Sequence, residues 1–417
     1  MRSGWLGCLA VACALTLLVS CGSSGRSTFL YLTSAGTDPG TIAVYSLNLG
    51  NGLLNSSNGA LTPTGKTAAT GTQPGPMIFN STHSFAYVAD FGNPLAAGTD
   101  NTKKTGDIAA LSINKNGSIT SIGLTTPAPD PSRPQGCTTL NPIALATDAK
   151  NQFLFVASQQ FYNAGSTCPA QPANGTPAPG VISVFSVASG KVTAVASTPL
   201  PVPAGPAGAT IPLPTGIAVS NQGSFVYITD STNNTVVGFA YDSSGNLTSI
   251  PGQFVPVGTT PRAVFSPPAG NFLYVGNAAS NDVYEFTINT DGSLVAIMAP
   301  TTIVPTGVGP IAMLSDPNAK YVYVLSNGGS QISGYTLNKV TGALTAIGPT
   351  GGTISTGANP VSFTIRSDGS TNGNFWVFTS NLGANSVSSY ALNGATGQLS
   401  ALPQLSTPVA PYGIATR

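Results

Sequence analysis

Few side chains in this 417-residue sequence could do chemistry. It has one histidine, His83, and only 6% of its residues are charged, against about 25% in ordinary domains. Proton transfer near neutral pH, nucleophilic attack and metal binding call for histidine, thiolate or convergent carboxylates. No Ser/His/Asp set, His/Cys cluster, phosphate-binding glycine loop or EF-hand loop can be assembled from the residue order. No catalytic group, metal site or cofactor is therefore assigned. Arg262, Asp90 and Asp230 stand out as candidate ligand-binding residues. A guanidinium holds a carboxylate or phosphate through its planar fork, and carboxylates accept sugar hydroxyls. The competing reading is structural, with the aspartates bonded to nearby backbone and Arg262 bracing loops.

At the N-terminus, Met1-Arg2 precedes an apolar run over residues 5–19, then Leu18-Val19-Ser20-Cys21 and Gly/Ser-rich residues. The run is too short to cross about 30 Å of hydrocarbon comfortably and ends in small residues, as a secretory signal does. Residues 18–21 resemble the bacterial lipobox, whose cysteine is lipidated and becomes the first residue of the mature chain. On this reading residues 1–20 are a lipoprotein signal peptide, 21–27 a lipidated tether and 28–417 one exported domain. Acyl chains contribute roughly 0.8 kcal/mol per buried CH₂, so several of them hold a soluble domain at a bilayer. The alternative is a cleaved signal with an incidental cysteine. Cys8 and Cys13 leave with the signal, and Cys137 and Cys168 remain as an even pair expected to form a disulfide, the alternative being two buried free thiols. Lys plus Arg number 14 and Asp plus Glu 13, a formal charge of +1. Such a surface has no electrostatic footprint for nucleic acid. The expected partners are an unidentified ligand or envelope protein, and the membrane through the N-terminal lipid; the domain itself is expected to be a monomer.

The elements that must position Arg262 and the aspartates are repeats. An alternating apolar strand, a polar turn with Asn and a second strand recur in FVYITDSTNNTVVGF from Phe225, FLYVGNAASNDVYEF from Phe272 and YVYVLSNGGSQISGY from Tyr321. WVFTSNLGANSVSSY from Trp376 keeps that spacing, and Phe29, Phe85 and Phe153 begin copies with different inner loops, which makes seven. A short third strand follows, as in SGNLTSI from Ser244 or TGALTAI from Thr341. A further strand, opened by Pro74, Pro142, Pro214, Pro261, Pro310 or Pro360, precedes each copy after the first. Proline suits the start of a strand, where no ladder donor is needed. Four strands repeated radially predict an all-β, seven-bladed β-propeller with four-stranded antiparallel blades. A lone Pro-led strand at Pro411 and the unpreceded strand at Phe29 predict closure by pairing of the C-terminal and N-terminal strands, which removes two exposed edges.

This pattern resembles the lactonase-type (6-phosphogluconolactonase-like) and YVTN-repeat propellers over essentially all of residues 28–417. In the lactonase branch one Pro-led strand reads Gly-x-Gly-Pro-Arg-His and another blade carries Asp-Leu-Gly. Here Pro261-Arg262-Ala263 and Asp90-Phe91-Gly92 stand in those places, so the arginine and aspartate match and the histidine does not. The second residue after each strand-opening proline is Pro76, Ala144, Gly216, Ala263, Ala312, Ser362 or Gly413, none able to exchange a proton near pH 7. Asn277-Ala278 replaces the family's Asn-Glu. His83 falls in a turn on the face opposite the loops that usually build a propeller site. Those loops are long only in blades two and three, over residues 91–106, 123–141, 159–180 and 197–213, and long loops on a rigid scaffold concentrate function. The leading expectation is an envelope propeller that binds a ligand or protein through this loop-rich face. The alternative is a lactonase acting on sugar lactones, which the resemblance implies, and a third reading is a structural surface protein. The lipobox carries a direct test: Cys21→Ser should move the protein from the membrane to the soluble or unprocessed fraction, and unchanged membrane association would overturn the anchor.

Overall fold

The computed structural model describes residues 28–34, 40–54, 56–57, 60–71, 73–92, 105–128, 138–162, 177–203, 210–297, 304–348, 352–367, 373–408 and 410–417. The expected signal peptide and tether, Cys21, Cys137, Cys168 and the central parts of the four long insertions lie outside these residues.

Blade four shows the unit. Pro214–Val219, Phe225–Asp230, Thr235–Tyr241 and Leu247–Pro256 pair in chain order as an antiparallel sheet. Every residue of the second strand is buried and the outer strand is largely exposed. Each sheet is covered on both faces by its neighbours, so its middle strands read as nearly continuous apolar runs. Innermost strands begin at Pro74, Pro214, Pro261, Pro310, Pro360 and Pro411, whereas blade three's runs over Thr138–Thr147 with Pro142 inside it. Consecutive innermost strands touch, and the one in blade seven touches that of blade one. The chain is a seven-bladed β-propeller.

Closure is made by Pro411–Thr416, which pairs with Thr28–Ser34 in the register Leu30↔Thr416, Tyr31↔Ala415 and Leu32↔Ile414. A second latch has no counterpart in the repeat pattern. The Trp376 indole N–H of blade seven donates to the Leu49 carbonyl of blade one at 2.9 Å. Leu54 of blade one packs in one cluster with Phe378, Val387 and Leu405, and Ala60 pairs with Ser406.

The first aromatic of each repeat locks one blade to the next. Rings of Phe29, Phe85, Phe153, Phe225, Phe272, Tyr321 and Trp376 lie against Gly117, Gly190, Gly245, Gly292, Gly342, Gly397 and Gly52, where an added Cβ would come within 2.1–2.8 Å. These glycines also have φ between 69° and 85°, a region costly for other residues. Two positions on, the tyrosine hydroxyls donate to the same glycines: Tyr227 to the Gly292 carbonyl at 2.7 Å, Tyr274 to Gly342 at 2.6 Å and Tyr323 to Gly397 at 2.7 Å. Burial pushes these phenols up, so they stay protonated donors. Third-strand tyrosines reach the other way, Tyr335 to the Pro305 carbonyl at 2.6 Å and Tyr390 to that of Ser355 at 2.8 Å. In urea unfolding, Tyr227→Phe should cost about 1–2 kcal/mol through the unpaired carbonyl. Gly292→Ala should cost more, about 3 kcal/mol, since φ strain and overpacking add. A tolerated Gly292→Ala would contradict the lock.

Candidate functional site

Proline and the bulge after it shape the channel. In every blade the innermost strand carries one extra residue just after its proline, as between Pro214 and Gly216, Pro261 and Ala263, or Pro310 and Ala312. A bulge turns two successive residues toward one side. The pairs Ile143/Ala144, Thr215/Gly216, Arg262/Ala263, Ile311/Ala312 and Val361/Ser362 all line one central cavity of ≈570 Å³. The large side chain comes first and the small one second, because the second approaches the next blade. A Cβ on Gly216 would lie 2.7 Å from the Arg262 carbonyl oxygen, and one on Gly413 would lie 2.4 Å from that of Gly75. Asn327, Asn359 and Leu382, in loops of blades six and seven, also line it, so it reaches the loop-bearing face.

Arg262 is the sole charged residue among the described residues lining this cavity, and none of them is histidine. It is exposed, and no hydrogen-bond or ion-pair partner holds its guanidinium among the described residues. Tyr412 lines the cavity from blade one, with its ring edge-on to Phe91 at a centroid distance of 5.1 Å. Burial raises the Tyr412 phenol and the charge of Arg262 partly offsets that. Tyr412 was not among the sequence candidates. The available signal was its place directly after a strand-opening proline, the place Arg262 holds in blade five.

Asp90 and Asp230 do not join Arg262 in the cavity lining. Each ends a second strand opposite the proline of its blade, and the same register holds Ser34, Ser158, Asn277, Ser326 and Asn381. All seven are polar and at most 2% exposed. The two aspartates satisfy backbone N–H groups of nearby loops, whereas the hydroxyls of Ser158 and Ser326 have no partner among the described residues. Asp230 Oδ1 accepts the backbone N–H of Leu213 at 3.0 Å and of Thr232 at 3.1 Å, and Asp90 Oδ2 accepts that of Gly71 at 2.8 Å. Asp90 is 0% exposed, and its pKa is raised to about 7, chiefly by burial, with Gly71 and Thr70 opposing and Asp107 adding to the rise. Asp107 sits directly across the strand pair and is itself raised by burial while accepting a 2.5 Å bond from Thr126. His83 lies in the turn after Pro74–Phe79, half-buried with its ring 5.6 Å from that of Phe79. Burial first, then Arg366 and Arg417, lower its pKa.

A profile of the family described as Lactonase, 7-bladed beta-propeller matches residues 180–308 and 282–411, together more than half of the chain. The chain belongs to this lactonase propeller family. Among solved structures it is similar to a periplasmic gluconolactonase of Pseudomonas aeruginosa, at 18% identity over 94% of this chain and 99% of that one with a TM-score of 0.70. A Bacteroides uniformis protein described as a candidate 6-phosphogluconolactonase gives 18%, 94%, 100% and 0.70. A Lactobacillus plantarum protein gives 17%, 94%, 100% and 0.67. At such identities the likeness is one of fold. No curated protein matches by sequence. In this lactonase-family propeller the small second position after Pro261, Ala263, is 3% exposed, and the Arg262 before it is the one ionic group among the described lining residues.

The buried carboxyls set a pH dependence. Asp90 and Glu285 both have pKa values raised to about 7 from ordinary values of 3.8 and 4.5, with burial the largest cause. Glu285 Oε1 accepts the Leu344 N–H across the blade five–six boundary at 2.7 Å. A carboxyl with a raised folded pKa holds its proton more tightly when folded. Its contribution is therefore fully present below about pH 4 and is lost as pH rises through 7. Asp242 and Asp291, lowered mainly by side-chain hydrogen bonds, act in the opposite sense below that window. Melting temperature should thus fall between pH 4.5 and 7.5, and Asp90→Asn with Glu285→Gln should flatten the fall. An unchanged slope in the double variant would refute the assignment.

Proposed function

We propose that this lactonase-family propeller is a cell-envelope binding module that takes a small anionic ligand into its central cavity at Arg262. The observation that carries the reading is the Arg262 guanidinium, without a partner among the described residues, in a cavity whose described lining has no carboxylate or histidine. Arginine in a concave pocket of this size is the ordinary form of an anion-recognition site. Binding needs only such a group, whereas lactone hydrolysis needs an activated water and a stabilised oxyanion together. The lipobox supports a lipid-anchored place in the envelope, and the periplasmic Pseudomonas aeruginosa relative is consistent with the periplasmic or outer-surface side. The long insertions of blades two and three are the proposed docking place for a protein partner.

A second reading, hydrolysis of sugar lactones, is favoured by family membership and by Asp90. With a pKa raised to about 7 it would serve as a base near neutral pH. Its carboxyl is 0% exposed and absent from the cavity lining, which is why binding is preferred. The full chain, reconstituted in lipid nanodiscs, should open 6-phosphogluconolactone or gluconolactone no faster than buffer does. It should instead bind at least one of a panel of sugar acids and simple carboxylates by calorimetry, and lose that binding in Arg262→Gln. Lactone turnover above the spontaneous rate that disappears on Asp90→Asn would replace this reading with the hydrolase.

A further inference from the structure

Thr260 holds an uncommon backbone conformation. Its φ is 54°, and it is the one β-branched residue at positive φ among the described residues. Branching at Cβ crowds the left-handed region, and a following proline pushes the residue before it toward extended backbone. Thr260 meets both penalties, with Pro261 directly after it. The same place before a strand-opening proline is left-handed at Gln73, Gly309 and Asn359, but blade five alone puts threonine there.

Strain of this kind persists only where the surroundings hold it, and here they hold it from two blades. Asn234 lies in the turn between Phe225–Asp230 and Thr235–Tyr241 of blade four. Its side-chain Oδ1 accepts the Thr260 N–H at 2.8 Å, and its carbonyl accepts the Val257 N–H at 3.0 Å. From the turn after Phe272–Asn277 of blade five, the Ala278 N–H donates to the Thr260 carbonyl at 2.8 Å and the Ala279 N–H to that of Thr259 at 3.1 Å. The Thr259 N–H in turn donates to Ser280 Oγ at 3.1 Å. Asn281 repeats the first contact one blade on, accepting the Gly309 N–H at 2.8 Å.

Two residues after Thr260 comes Arg262. The register passes from Pro261↔Asn277 to Ala263↔Gly276, so Arg262 at the bulge has no partner residue in the ladder. Its direction is set by its neighbours. Ala263 holds one side; on the other stands Pro261, whose ring fixes its φ and whose carbonyl accepts the Thr215 hydroxyl at 2.6 Å. The dihedral angles of Thr260 aim that rigid unit. We infer that Asn234 and Thr260 are positioning residues for Arg262: the blade-four asparagine locks the strained threonine, and the threonine fixes where the arginine enters the cavity. The inference rests on Arg262 being the ligand-holding group proposed above. An arginine aimed in advance gives up less freedom when it takes an anion, which offsets the strain. A turn that only joined two blades would be met with less strain by glycine, as at Gly309.

Crystal structures of the full chain in detergent and calorimetric titrations in lipid nanodiscs test this, with gluconate, 6-phosphogluconate and 3-phenylpropionate as probes. In Asn234→Ala without ligand, Thr260 should leave positive φ and the Arg262 Cα should move by about 1 Å or more. Binding of whichever probe the wild type takes should weaken about 10-fold or more. Glycine occupies the left-handed region without strain. Adding Thr260→Gly to Asn234→Ala should therefore bring affinity back to within about 3-fold of wild type. Tyr227→Phe, which loosens a different contact, should leave affinity unchanged. If Asn234→Ala loses its cooperative melt, Asn234→Gln, which keeps the amide but displaces its oxygen, takes its place. An Arg262 that stays where it is in the variant, or a loss of binding that Thr260→Gly does not restore, would overturn the inference. No binding of any probe by the wild type would remove the binding module, and the crystal structures would still decide the positioning.

Discussion

An aromatic ring laid against a neighbour's glycine is the contact on which the rest of this propeller depends. Each blade supplies the ring from its second strand and receives one at its own outer turn, and the series runs around to Trp376 on Gly52. A blade is therefore incomplete by itself, with a ring lacking its glycine on one side and a glycine lacking its ring on the other. Removing water from both faces of every sheet is what stabilises a ring with 6% charge, because ion pairs are too few to contribute much. The same dependence explains why closure is doubled. Strand exchange at Pro411–Thr416 supplies backbone pairing, and the blade-one segment around Leu49 and Leu54 supplies the missing outer contacts of blade seven.

Inside the ring, a second constraint acts through proline. An innermost strand opened by proline has no N–H to give at its first residue, and the bulge after it offers two successive residues to the channel. The first of the pair has room and the second does not, which is why Ile143, Thr215, Arg262, Ile311, Val361 and Tyr412 form the wall while alanine, glycine or serine follow each. Where the family pattern has Arg-His, this chain has Arg-Ala. The arginine keeps its access, and it is the one charged group among the described lining residues.

Across the sheet from the prolines lies a level of buried polar side chains, of which the two aspartates tie loops to strands. Asp90 and Asp230 belong to this level together with serines and asparagines, and that membership decides their character. Asp230 is surrounded by backbone N–H donors. Asp90 has one such donor and an acidic neighbour, so burial dominates and its proton is held to about pH 7. Two residues equivalent by position thus differ in their local donors.

How much of this was legible depends on the range of the interaction. Alternation, the spacing of the FxYV and TGxL segments and the unpaired strands at the two ends are local patterns, and they determined blade number, strand order and closure. Arg262 was likewise visible, because a lone arginine after a strand-opening proline stands out in a chain with so few charges. Tyr412 was not, since its neighbour across the channel lies 150 residues away in sequence and only the ring brings them to one cavity. Nor could spacing reveal that Asp90 and Asp230 are sealed away from Arg262, or that Asp107 stands beside Asp90. Side-chain direction at a strand end depends on the bulge and on the loop folded over it. Those are tertiary facts, set by how seven sheets pack against one another rather than by any one segment's preferences.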